Sequence, residues 1–103
     1  MEFKIENVSG IGEYSFEDLV KKEKKVGGVF LAPSGKAFVV LNGDKTIEVR
    51  TDKNLSKVLC EKYESVMQSR YFGKGGIEIV LSGQMSLDEI YDLVRLSYNM
   101  TIE

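Results

Sequence analysis

The sequence predicts an α+β domain of two layers, an antiparallel sheet with helices packed on one face. Three observations point there. Apolar and polar residues alternate in short runs, as where Ile47 and Val49 are set against Glu48 and Arg50. Apolar residues also recur at helical spacing behind capping residues at Ser15, Asp52 and Ser86. The turns "APSG" and "NGD" are too short to join anything but antiparallel neighbours. A chain of 103 residues fits a single domain over 1–103.

Taken in order, "FKIENV" sets Phe3 and Ile5 against Lys4 and Glu6, which predicts a short strand. "YSFEDLVKKEKK" reads as a first helix: Ser15 caps it, acids open it, lysines close it, and Phe16, Leu19 and Val20 form its stripe. Residues 27–52 read as three strands, with Pro33 and Gly35 at the turn positions they favour. Asp52 caps a second helix whose inner side carries Leu55, Val58 and Leu59. "GIEIVLSG" is a strand with Ile77, Ile79 and Leu81 on one face. Ser86 and Glu89 form a capping box, and Met85 and Ile90 stand where a hydrophobic staple would, so a last helix follows. The predicted order is a short strand, then α-β-β-β-α-β-α.

Composition narrows the function. There is no histidine and one cysteine, Cys60, which removes His-based triads and His/Cys zinc sites. The expectation is a non-enzymatic binding domain with no cofactor and no metal. Cys60 reads as a packed residue, because no histidine can activate it. The acids Asp88, Glu89 and Asp92 complement the dipole of the last helix. No apolar run reaches membrane length and no secretion signal opens the chain, so the expected location is the cytoplasm, with no membrane partner.

Charge is unevenly spread. Residues 1–20 carry one lysine against five acids, residues 21–74 twelve basic against six acidic residues, and residues 75–103 one arginine against five acids. A basic middle between acidic ends raises the prospect of a basic face. The cluster "KKEKK", Lys21 to Lys25, reads as a solvated helix end.

Several stretches, read together, resemble one family. "SLDEIYDLVRLSYNMT" matches an acidic C-terminal helix ending in a Ser-Tyr pair, here Ser97 and Tyr98. Val49, Arg50, Thr51 and Asp52 fall on a strand-to-helix segment. Gly35, Lys36 and Phe38 fall on the glycine-lysine-x-phenylalanine pattern of a hairpin. These residues, over about 28–101, resemble the MmcQ/YjbR family; the first 27 residues match poorly. The family's signature loop is degraded here: Arg70 to Ile77 occupy it, Lys74 is kept, and Tyr71, Gly76 and Ile77 replace two histidines and a tryptophan. The resemblance implies a compact α+β domain related to the frataxin-like fold, and DNA binding through two hairpin wings.

From the residues themselves, Lys36 at a hairpin tip, Arg50 on a strand, and Arg70 and Lys74 around an aromatic pair suit phosphate contact, with Tyr71 for base stacking. The loop is not a P-loop, since no Ser or Thr follows Lys74. The expected function is nucleic-acid binding at this surface. The alternative is a protein-interaction or accessory module, as a monomer or a homodimer. Tyr98 is expected in the core with its hydroxyl bonded at the rim.

Overall fold

The computed structural model describes residues 3–43 and 45–102, apart from the side chains of Lys21, Lys24, Lys25 and Val26. Strands β1 (Ser15–Lys21), β2 (Lys24–Leu31), β3 (Ala37–Asn42), β4 (Thr46–Arg50), β5 (Val66–Ser69) and β6 (Gly73–Val80) form one antiparallel sheet. Its order is β1-β2-β3-β4-β6-β5. Helices α1 (Lys53–Lys62) and α2 (Leu87–Ile102) cover one face. Val39, Ile47, Val49, Ile77 and Ile79 point into that layer and meet Leu59 and Tyr63 of α1 and Ile90, Val94 and Tyr98 of α2. The domain is α+β, as expected, with one helix fewer and more strands than the sequence predicts.

Residues 14–25, expected as a helix, belong to the β1–β2 hairpin. Phe16 lies 4.9 Å from Phe30, ring to ring, while Leu19 joins Val29, Ala37 and Val40 on the other face. A strand divides the apolar stripe that a helix would have kept together. The turn residues Lys22 and Glu23 both take positive φ, 50° and 65°. Glycine or asparagine usually announces such a turn, and neither stands here. Two glycines on β2 decide the matter instead. A Cβ on Gly28 would sit 2.1 Å from the Phe16 ring, and one on Gly27 would sit 1.9 Å from the Leu41 carbonyl oxygen. The cluster Lys21 to Lys25 is therefore a hairpin tip; three of its lysine side chains lie outside the described residues.

"FKIENV" is likewise no strand. Ile5–Asn7 form a 3₁₀ turn that buries Phe3, Ile5 and Val8 against the core, with Phe3 5.5 Å from Tyr91. Leu59 faces in as expected, but Val58, expected inside, is exposed, and Ser56 is buried instead. The strand β5 carries the pattern Val66 in, Met67 and Gln68 out, Ser69 in, which is too short to signal itself.

Other local readings hold. The Gly35 N–H donates to the Ala32 carbonyl at 2.9 Å, closing the Pro33 turn. The Lys45 N–H closes the next turn on Asn42, and Asp44 of that turn lies outside the described residues. Asp52 accepts from the Leu55 N–H at 2.7 Å, and Ser86 from the Glu89 N–H at 3.2 Å. Met85 and Ile90 are both buried. The register of β2 on β3 shifts between Phe30 and Leu31. Ser97 reaches out of α2 and donates to the Phe38 carbonyl there at 2.7 Å. Tyr98 is buried, and its hydroxyl donates to the Glu13 carbonyl at 2.8 Å. Among the described residues, no helix is long and apolar enough to cross a membrane.

Gly27 offers a direct check on the hairpin. It combines a φ of 148° with the close Leu41 carbonyl. Gly27→Ala should lower unfolding stability by about 2 kcal/mol or more, the scale of local backbone strain. Urea denaturation would show this as a lower midpoint; an unchanged midpoint would remove the constraint assigned to β2.

Candidate functional site

The antiparallel register gathers the predicted residues at one end of the sheet. Strands β3 and β6 start there, and β2, β4 and β5 finish there. Lys36 lies in the β2–β3 turn, Arg50 ends β4, Arg70 and Tyr71 lie with Phe72 in the β5–β6 turn, and Lys74 is the second residue of β6. Arg50 is the link between the two hairpins. Its Nε donates to the Ala37 carbonyl at 2.9 Å, beside Lys36, and its guanidinium carbon lies 5.0 Å from the Phe72 ring centre. Phe72 in turn meets Tyr71 edge to face at 5.0 Å.

Beneath this end, on the face without helices, lie two carboxylates. Glu48 and Glu78 are direct cross-strand partners and each is only 3% exposed. The alternation of β4 predicts a wet face for Glu48, and here the structure corrects the sequence. Like charges opposite one another on neighbouring strands repel, and buried charge is tolerated only when it is hydrogen-bonded or paired. Both conditions are met. Glu48 accepts from Asn42 at 2.9 Å, from the Ser69 hydroxyl at 2.7 Å and from the Tyr71 N–H at 2.9 Å. Glu78 accepts two bonds from Arg70, at 3.0 and 2.9 Å, and one from Thr46 at 2.8 Å. Asn42 also donates to Thr46 at 3.0 Å, which joins the two halves. Among the described residues, no buried side-chain nitrogen or oxygen lacks a partner.

Burial pushes the Glu48 carboxyl up, but the bonds from Asn42, the Tyr71 N–H and Ser69 outweigh it, so the group titrates below the ordinary range. The Glu78 hydrogen bonds and charge push the Arg70 guanidinium the other way, upward.

These contacts sort the predicted residues. Arg70 serves the fold by neutralising Glu78, although its own side chain is 75% exposed. Arg50 ties the β2–β3 turn to Phe72. Lys36 and Lys74 are exposed and, among the described residues, in no ion pair. Tyr71 is 51% exposed, with one ring edge on Phe72. Sequence reasoning passed over Phe72 as a support and Glu48 and Glu78 as the base of the site. The signal for the carboxylates was present only in the pairing register, which puts them opposite each other. Two of the acids of α2 are occupied locally. Glu89 accepts from the Tyr63 hydroxyl at 2.6 Å, which holds its carboxyl below the usual range, and Asp92 pairs with Arg95 at 2.8 Å.

No family model matches the chain, and no curated protein matches it in sequence. Solved structures share the fold. A Pseudomonas syringae protein superposes with a TM-score of 0.67 at 20% identity, over 82% of this chain and 84% of its own. The Deinococcus radiodurans protein DR2400, with a domain of the family DUF419, gives a TM-score of 0.74 at 12% identity, over 93% of this chain and 73% of its own. Identities this low show a shared fold.

Two measurements check the network. Because the folded-state pKa of Glu48 is lowered, its contribution to stability is present above the unfolded value and lost as pH falls through the folded one. Below about pH 4.5, the ordinary value for the group, stability of the native chain should therefore drop more steeply than that of Glu48→Gln. Parallel curves from acid titrations of stability would exclude the assignment. Separately, Arg70→Ala should lower the melting temperature at pH 7 by stranding Glu78, and adding Glu78→Gln should recover part of the loss. Strictly additive effects would mean that the pair is not coupled.

Proposed function

We propose that the chain is a small non-enzymatic binding domain of the MmcQ/YjbR type that engages nucleic acid at the hairpin end of its sheet. The observation that supports this reading is the convergence of Lys36, Arg50, Arg70 and Lys74 on one end, around an exposed Tyr71. Lys36 and Lys74 are free to meet phosphates, and Tyr71 offers a ring for an unpaired base. Arg50 and Arg70 hold the two hairpins in place and present their remaining N–H groups. The whole chain has a pI near 5.3, so single strands suit it better than duplex, whose binders are usually basic throughout.

A second reading has its own support. Strand β1 is an edge of the sheet, and it exposes Phe16 and Val20. An edge with apolar side chains is a template for another strand, as in a homodimer or a protein complex.

Fluorescence anisotropy with labelled oligothymidine and duplex DNA, at ~50 and ~200 mM salt, separates the two readings. Salt-sensitive binding of the single strand is expected. Lys36→Ala and Lys74→Ala should each reduce the salt slope by about one. Tyr71→Ala should cost about 1–3 kcal/mol of affinity. No binding at the lower salt would overturn the nucleic-acid reading and favour the β1 edge.

A further inference from the structure

A cleft of about 440 Å³ lies between α1 and the edge strand β5, around the corner from the hairpin end. That volume is in the range of small-molecule sites. Lys53 and Lys57, one helical turn apart on α1, stand on one wall, and Lys74 of β6 also lines it. Among the described residues, none of the three is in an ion pair, and Glu61 is the one acid on the walls. The remaining lining divides by chemistry. Gln68 and Ser56 bring polar groups, though the Ser56 hydroxyl already donates to the Gly76 carbonyl at 3.1 Å. Met67 and the half-buried Cys60 bring soft apolar surface.

Three lysines facing one space repel one another. Asp52 caps the amino end of α1 beside Lys53, but its carboxylate is bonded to the Leu55 N–H and does not line the cleft. An anion in the cleft relieves the repulsion among the lysines. We propose that this cleft binds a small phosphate-bearing molecule, its phosphate held among Lys53, Lys57 and Lys74 and its less polar part against Met67 and Cys60. The Gln68 amide adds a donor and an acceptor for the rest of the molecule. A free nucleotide and a non-nucleotide phosphate share this chemistry. The site goes beyond the nucleic-acid reading and shares one residue with it, Lys74.

Cys60 is the only cysteine, so it reports on the cleft directly. The rate of its alkylation by iodoacetamide is measured at ~50 mM salt with AMP, pyrophosphate or adenosine present. AMP is expected to slow the reaction about fivefold at saturation and adenosine to leave it unchanged. Protection by AMP alone would identify a nucleotide ligand. Equal protection by pyrophosphate would identify the phosphate as sufficient. Lys53→Ala combined with Lys57→Ala should abolish protection, each liganded rate being compared with the same variant's unliganded rate, while the circular-dichroism spectrum stays as in the native chain. Protection by neither phosphate, equal protection by adenosine, or protection that survives the double substitution would each overturn the proposal. Oligothymidine anisotropy on the native chain keeps the two readings apart: strand binding without protection of Cys60 by AMP or pyrophosphate is failure of the cleft alone, and protection without strand binding is failure of the hairpin end alone.

Discussion

The facing pair Glu48 and Glu78 is the constraint on which the working end of this domain depends. Two carboxylates, opposite one another on β4 and β6 and nearly sealed from water, are a costly arrangement without partners. Their partners come from three separate stretches: Asn42 and Thr46 around the β3–β4 turn, Ser69 at the end of β5, and Arg70 with the Tyr71 N–H in the β5–β6 turn. β5 buries one apolar side chain of its own, Val66. The β5–β6 turn is fixed by charge, as Phe72 N–H donates to Ser69 at 2.8 Å and Ser69 donates to Glu48. The position of Tyr71 is therefore inherited from buried carboxylates, and so is the bend that brings Phe72 beneath Arg50.

The sequence disclosed those elements whose signals are local. The Ser86–Glu89 capping box, the Asp52 cap and the Pro33 turn each need only a few neighbouring residues, and each stands where the pattern places it. The failures share a cause. The β1–β2 hairpin turns through Lys22 and Glu23 in left-handed conformations that nothing in their chemistry favours. What stabilises that turn is distant: two glycines on β2 that admit the Phe16 ring and the Leu41 carbonyl. A helical stripe and a capping serine outweighed them, because propensity is a local quantity and close approach of strands is not. β5 has four residues and one buried apolar side chain, so it exists by pairing with β6 rather than by its own pattern.

The candidate site shows the same division. Residue types around Arg70 to Lys74 suggested phosphate contact, and the register does bring Lys36, Arg50, Arg70, Tyr71 and Lys74 to one end. Their roles could not be read from type. Arg70 and Lys74 are equally basic in the sequence, yet one is committed to Glu78 and the other, among the described residues, is in no ion pair. The difference lies in which acid each strand register places nearby. Lys53 and Lys57 were hidden for the opposite reason: a lysine on an exposed helix face is ordinary, and its meaning comes only from the cleft beside it.

This division separates structure from binding within one small surface. Arg50 and Arg70 are tied to the fold, so their removal changes the site's shape as well as its charge. Lys36, Lys53, Lys57 and Lys74 hold nothing together, and a surface position without such ties tolerates substitution within about 0.5 kcal/mol. These four stand on one sheet end and an adjoining cleft, while Lys22 and Lys45 stand at the turns of the opposite end and acids gather on β1 and at the start of α2. The hairpins beneath them are held by a fully bonded network, so the lysines and Tyr71 are presented on a base whose ordering cost was met in folding. A ligand would then lose less entropy in organising the surface it meets. That combination, a rigid base and removable charge, is what makes binding at this end separable from folding by experiment.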